Sequence, residues 1–206
     1  MKRGLSMGLA VMMMAVSVLG CGKGGQGSSE SPEKTQESEA VAQKIQAEEL
    51  KVAVIGEPST LDVHMTSAFI TQEIGYHILE GLYTIDADYN TVPMLAEDTK
   101  VSEDNTHYTI RLRKGVTFHN GKELTAQDVE ASLKRWVEKT SYGAILGKIL
   151  DKIQVTDDYT VELYLTEPSV VVTTLLAFPN QQGGIYPKES IEAAGEKGIP
   201  EEYIIG

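Results

Sequence analysis

The hydrophobic period changes from two residues to about 3.6 between His107 and Val137, and this switch constrains the fold more than any other stretch. In His107-Tyr108-Thr109-Ile110-Arg111-Leu112-Arg113 the apolar residues alternate, so Tyr108, Ile110 and Leu112 face one way and the arginines the other. Thr125 then opens a helix. Its side chain suits the N-cap, and the Asp128 carboxylate reaches back as a variant of the capping box. Ala126, Val129, Leu133, Trp136 and Val137 form the apolar stripe of that helix. Two further strands, Lys152 to Thr156 and Tyr159 to Thr166, meet at the turn Asp157-Asp158. In the second, Tyr159, Val161, Leu163 and Leu165 share a face. Strands and helices interleaved in this way predict a mixed α/β or α+β body, and exclude a helical bundle or a pure sandwich.

Shorter signals fill in the rest. Leu50-Lys51-Val52-Ala53-Val54-Ile55 reads as a buried strand stopped by Gly56 and Pro58. Ala68 to Glu80 carries Ile70, Ile74, His77 and Ile78 at helical spacing, and Gly81 is free to close that helix with a positive φ. Leu82 to Ile85 is a short strand and Asp86 to Asn90 a turn. Val116 to His119 is a short strand between the turns Arg113-Lys114-Gly115 and Asn120-Gly121, and Pro168 admits a short helix through Ala177.

The first fifty residues have another texture. Lys2-Arg3, an apolar run from Leu9 to Leu19 and small residues before Cys21 make a secretory leader, too short and too rich in small residues for a good membrane span. The junction Leu19-Gly20-Cys21 resembles the lipobox of bacterial lipoproteins. That resemblance implies a diacylglycerol on the Cys21 thiol and stable anchoring by its acyl chains. Removal of residues 1–20 leaves 186 residues and moves the net charge from −12 to −14, because Lys2 and Arg3 go with the leader. Residues 21–49 are first Gly/Ser-rich and then rich in Glu, Gln, Ser and Ala, a tether that buries too little to fold alone. With the single cysteine at the cut, no disulfide stabilises the body and no thiol site exists in it. The acidic balance argues against nucleic acid as a partner.

No catalytic constellation stands out: Gly-x-Ser-x-Gly, His-Glu-x-x-His and a phosphate-cradling glycine loop are all absent. His64, His77, His107 and His119 fall in different elements without ligand spacing. An ordered series does stand out. It runs Glu57-Pro58-Ser59-Thr60-Leu61-Asp62, Glu80-Gly81-Leu82-Tyr83, Pro93-Met94-Leu95-Ala96-Glu97, Leu112 to Gly121, and Leu124-Thr125-Ala126-Gln127-Asp128-Val129. Together these segments resemble family 5 of the bacterial extracellular solute-binding proteins, the receptors of peptide, nickel and related ABC importers. The likeness runs from about Leu50 to Gly206. Val63 stands where the family often has Pro, and Asp98-Thr99-Lys100 where it often has Trp, which blurs the subfamily.

The resemblance implies a type II periplasmic-binding-protein-like fold that closes by hinge motion, with capture and delivery as its work and no bond chemistry. On that pattern residues 50–82 and 177–206 belong to the first lobe and residues 83–176 to an extra subdomain. Ile204-Ile205-Gly206 resembles the start of a longer family segment, so the expectation is an N-terminal fragment without the second lobe. The implied ligand is an oligopeptide or dipeptide, with a nickel chelate, glutathione or an opine as alternatives. The implied partners are permease subunits with a cytoplasmic ATPase, for a monomer held by lipid at the outer face of the cell membrane. No cofactor or metal is implied. In the loop Glu57-Pro58-Ser59-Thr60, Glu57, Ser59 and Thr60 are candidate ligand contacts or else loop scaffold, and Tyr142 after the long helix is a candidate aromatic contact. A surface-anchored hydrolase using a carboxylate pair is the rival reading from another class.

Overall fold

The strand that reads most clearly in the sequence lies inside the larger sheet. The computed structural model describes residues 51–196 and 198–206, and Val52–Gly206 form one unit. In chain order its elements are α1 (Phe69–Gly75), β1 (Tyr83–Ile85), β2 (Thr91–Pro93), β3 (Ala96–Val101), β4 (His107–Leu112) and α2 (Ala126–Lys139). There follow α3 (Ser141–Gly147), β5 (Leu150–Asp157), β6 (Thr160–Leu165), α4 (Val172–Ala177), α5 (Lys188–Ala193) and a 3-10 turn (Glu201–Tyr203). The leader, Cys21 and the tether lie outside the described residues.

β3, β4, β6 and β5 form an antiparallel sheet in that order, and β1 and β2 a separate ribbon. Register follows the apolar faces: Ile110 sits opposite Val161, Tyr108 opposite Leu163, and Ile153 opposite Leu163 from the other side. The alternation read from the sequence is observed, with Tyr108, Ile110, Leu112, Val161, Leu163 and Leu165 all buried. Both edge strands carry register shifts and charged residues, which discourage pairing with another chain.

α2 packs against this sheet through Ala126, Val129, Leu133 and Trp136, with Val137 half-buried at the margin. Its capping box is present, the Asp128 carboxylate accepting the Thr125 N–H at 3.0 Å. Asp128 also accepts from Lys122 Nζ at 2.7 Å and from the Lys188 N–H at 2.8 Å. Burial alone would raise its pKa, but these donors outweigh it and hold the carboxyl below its ordinary value. One carboxylate thus caps α2 and fixes the start of α5.

Four expectations change. Val52–Ile55 is exposed and irregular rather than a buried strand, because it joins neither sheet of the described residues. α1 is shorter than the isoleucine pattern implies, and its buried side is Thr71, Gln72 and Gly75. Ile70, Ile74 and Ile78 are only half-buried and His77 is exposed. Gly81 does not take a positive φ. It pairs with Gly184, where a Cβ would lie 3.3 Å from the Gly183 and Tyr83 carbonyls, so close backbone approach is its reason for being glycine. Val116–His119 is reduced to the single bridge Thr117–Glu123, although its flanking turns form as read, with Gly115 and Gly121 at positive φ.

A second, smaller apolar cluster consists of Val63, Leu79, Tyr186, Ile199 and Ile204. It is bound to the first by buried polar side chains. Arg135 donates to both oxygens of Asp62, at 2.9 and 2.5 Å, with the two side chains 7% and 0% exposed. Asp62 also accepts the N–H groups of His64 and Ile199, at 3.1 and 2.9 Å. Burial pushes the Asp62 pKa up, yet the Arg135 hydrogen bonds, the Ile199 N–H and the Arg135 charge together leave it lowered. Gly198 makes the approach possible: at φ +100, its missing Cβ would lie 2.8 Å from the carboxylate. Ser132 of α2 completes the seam, donating to the Tyr186 carbonyl and accepting its N–H.

Candidate functional site

Beside the buried face of α1 runs a second stripe: Phe69, Glu73 and, just past the helix end, Tyr76, spaced one helical turn apart. This stripe is one wall of a surface hollow of about 400 Å³. The opposite walls are Ile85 and Tyr89 of the β1–β2 hairpin and Phe178-Pro179-Asn180 after α4. Tyr89, Phe69, Tyr76 and Phe178 are 84%, 75%, 45% and 41% exposed. The chain has three phenylalanines, and two of them stand here in water. A patch of open aromatic rings costs solvation and marks a surface that meets something else.

Buried amides hold these walls in place. Gln72 donates to the Val63 and Thr66 carbonyls, at 2.9 and 2.8 Å, while its own carbonyl accepts the Gln182 N–H at 3.2 Å. Gln182 donates in turn to the Leu79 carbonyl at 2.9 Å. Gly75 lets α1 sit against Val63, whose Cγ1 would lie 2.3 Å from an added Cβ. The Phe178 loop is fixed from the other side: Trp136 Nε1–H donates to the Gln181 carbonyl at 2.8 Å, and the Ser141 N–H donates to Gln181 Oε1 at 2.8 Å. Tyr89 and Gln181 both have φ near +60°, a region that non-glycine residues rarely occupy. At Tyr89 the turn is kept by Asp86 Oδ1, which accepts the N–H groups of Asp88 and Asn90.

Glu73 is the one charged residue on these walls, and no hydrogen bond or ion pair engages it among the described residues. Burial pushes the Tyr76 phenol up to about 12, so it stays neutral across the physiological range. Aromatic faces with a single carboxylate suit apolar groups and cations, held by contact and by the ring quadrupole.

A second hollow of about 360 Å³ lies between Tyr76–Glu80, Val116–His119 and Gly206. Its walls mix apolar residues such as Leu95, Phe118 and Ile185 with His77, Glu80 and His119, and the His119 N–H closes onto the Gly206 carbonyl at 2.9 Å.

The residues singled out in the sequence are spread apart in role. Glu57 and Ser59 are exposed. The Thr60 hydroxyl accepts the Asp62 N–H at 3.1 Å and its carbonyl accepts the Thr71 hydroxyl at 2.7 Å, which ties this end of the loop to α1. Tyr142, on α3, is half-buried against the main cluster and packs on Phe178 with ring centroids 4.8 Å apart. It backs a wall of the hollow and does not line it. Sequence reasoning missed Phe69, Glu73, Tyr76, Tyr89 and Phe178. The helical spacing of the first three was available, but the isoleucines competed for attention as the expected core.

Residues 90–205 match the family described as bacterial extracellular solute-binding proteins, family 5 middle. Among curated proteins, a probable peptide ABC transporter periplasmic-binding protein, y4tO of Sinorhizobium fredii, is 32% identical over 141 residues, which are 66% of this chain and 27% of that protein. The glutathione-binding protein GsiB of Escherichia coli K12 is 30% identical over 135 residues, 65% of this chain and 26% of that protein. The chain therefore spans about a quarter of the length of the curated relatives it matches. Among solved structures, AgaA from Agrobacterium tumefaciens R10 in complex with agropinic acid superposes with a TM-score of 0.59 at 36% identity, covering 65% of this chain and 27% of that one. OppA of Haemophilus influenzae in complex with the peptide RPPGFSPFR gives a TM-score of 0.63 at 25% identity, covering 73% and 33%.

Proposed function

Because the chain belongs to the bacterial extracellular solute-binding proteins of family 5, we propose that it acts as a substrate-binding component of an ABC importer. It captures peptides or related small ligands outside the membrane and delivers them to a permease. The observation that carries this reading is the aromatic hollow, an open and rigidly pinned binding surface on a chain of this family. The relatives support the ligand range: one is described as a peptide-binding protein, one binds glutathione, and one holds agropinic acid. A nickel chelate remains the outlying alternative.

In this reading Cys21 carries the lipid and residues 21–49 let the body move above the membrane. The lobe boundaries follow the sequence: residues 50–82 and 177–206 in the first lobe, 83–176 in the extra subdomain. Two apolar clusters support that division, one running from Leu82 to Ile185 and one joining Val63 and Leu79 to Tyr186, Ile199 and Ile204. Phe69, Glu73, Tyr76, Tyr89 and Phe178 form the ligand face. Tyr142 acts through Phe178, and Glu57, Ser59 and Thr60 are further candidate contacts on the exposed loop that follows residue 56.

Uptake tests the reading. Deletion of the gene from its host should abolish accumulation of labelled peptides, and the wild-type gene should restore it. Cys21→Ser should release the protein from the membrane fraction. Unchanged peptide uptake in the deletion strain would overturn the importer reading.

A further inference from the structure

We propose that the aromatic hollow is selective for an organic cation, a ligand whose ammonium group sits beside an aromatic or branched apolar group. The proposal rests on reading the hollow as part of a receptor's ligand face, and adds the chemistry of what that face prefers.

Three observations carry it. First, Phe69, Tyr76 and Tyr89 have no ring partner among the described residues, so their faces are available to a ligand; only Phe178 is stacked, from behind, by Tyr142. Rings arranged round a hollow attract a cation with their negative faces while covering the apolar group attached to it. Second, among the described residues Glu73 is the only formal charge on the walls and has no partner. No lysine or arginine lines the hollow, so an anionic ligand would meet a carboxylate with nothing to offset it. Third, Glu73 is exposed, so its carboxylate adds nothing for a neutral apolar ligand and a modest attraction for a cation seated beside it. A cation fills the hollow and answers the charge together. The overall charge of −12 adds a long-range field of the same sign.

Four small probes separate the terms: phenylalaninamide is a ring with a cation, and N-acetylphenylalaninamide a ring without charge. N-acetylphenylalanine is a ring with an anion, and glycinamide a cation without a ring. Affinities for the 206-residue chain are read by saturation-transfer NMR at low ionic strength. Phenylalaninamide should bind about five- to tenfold tighter than the neutral amide, with the anion and glycinamide weaker than both. Glu73→Gln should bring the two amides within about twofold of each other, and Phe69→Ser should weaken both together. Both positions are exposed, so the fold should survive, and far-UV circular dichroism checks it. Equal binding of the cationic and neutral amides, tighter binding of the anion, no binding of any probe, or a ratio unmoved by Glu73→Gln would each overturn the proposal. None of these results bears on peptide uptake in the deletion strain, so failure of the ligand chemistry and failure of the importer reading are seen separately.

Discussion

Two regions of this molecule are held together by opposite means. The sheet and α2 are cemented by alternating and helically spaced apolar residues, Tyr108 to Leu112, Val161 to Leu165 and Ala126 to Trp136. The seam to the second apolar cluster and the backing of the hollow are tied instead by buried polar side chains: Asp62 with Arg135 and Ser132 at the seam, Gln72 with Gln182 behind the hollow. Apolar packing tolerates small rearrangements, because any group of the right size restores most of it. A buried amide or ion pair has one geometry and penalises all others. The region that must present rings at fixed positions is therefore the one tied by hydrogen bonds.

Arg135 and Trp136 are neighbours on α2; Arg135 belongs to the polar seam, while Trp136 packs under the sheet and also pins the Phe178 loop, which makes them the sharpest test. Arg135→Ala leaves the Asp62 carboxylate buried and unpaired, and should cost about 3–5 kcal/mol. Trp136→Ala opens a cavity under the sheet and frees the Gln181 carbonyl, also about 3–5 kcal/mol. Chemical denaturation reads both. Rescue divides them: Asp62→Leu combined with Arg135→Met should recover most of the loss, since a buried ion pair replaced by apolar groups is often neutral or better. The recovered protein should nevertheless present the hollow less well, because Asp62 also fixes the His64 and Ile199 amides. A double variant with native stability and native ligand affinity would show that the polar seam has no part in shaping the site.

Acid should loosen the polar region first, and His64 is the reason. It is 1% exposed, edge-on to Tyr186 at 5.2 Å. Burial, followed by the Arg135 charge, holds its pKa down to about 3 from an ordinary 6.5. The Asp62 charge and the Gly184 backbone work the other way, but neither ring nitrogen meets the geometry of a hydrogen bond with a partner among the described residues. Between these two values the unfolded chain takes up a proton that the folded one refuses, so stability falls as pH drops below about 6.5. The slope approaches about 1.4 kcal/mol per pH unit. Asp62 and Asp128 have lowered values, so their contribution is full above 3.8 and is lost only on further acidification. His64→Leu should flatten the fall between pH 6 and 4 in thermal melts without touching the loss below it. An unchanged slope would place the acid sensitivity elsewhere.

The same division governs what could be read in advance. β4, β6, α2 and its Thr125–Asp128 cap were legible because one-dimensional periodicity and a local capping pattern specify them. The polar shell was not, since its bonds join residues far apart in the chain: Asp62 to Arg135, Gln72 to Gln182, Ser132 to Tyr186. Nothing at Gln72 alone announces a buried amide. Val52–Ile55 shows the converse, for its apolar run reads as a strand yet joins neither described sheet. Of the candidate contacts named from the sequence, Tyr142 packs on a residue that lines the hollow, Phe178, and none of the four lines it.

Gln72→Leu tests the shell with a smaller effect. The substitution keeps the volume and removes the partner of two carbonyls and one N–H. It should cost about 1–3 kcal/mol. Hydrogen exchange should quicken at the Gln182 amide while the β4 and β6 amides keep their protection. Uniform loss across the sheet would mean that the two regions unfold as one.

The smallest expected effect belongs to Tyr142, and it decides what that residue does. Its ring touches Phe178 at an angle of 34°, while its hydroxyl makes no hydrogen bond among the described residues. If Tyr142 works only by backing Phe178, then Tyr142→Phe keeps everything that matters, and both stability and ligand affinity should stay within about 0.5 kcal/mol of wild type. Tyr142→Ala removes the stacked ring and should cost about 0.5–1.5 kcal/mol beyond the lost burial. Phe178 then swings freely, so affinity at the hollow should fall a few-fold while the β-sheet keeps its stability. The alternative is direct contact, with the hydroxyl bonded to a ligand group. Removing one hydrogen bond to a charged group loses about 1.5–3 kcal/mol, a tenfold or greater drop in affinity. A tenfold loss in Tyr142→Phe with an unchanged melting temperature would therefore move Tyr142 from behind the wall to its surface.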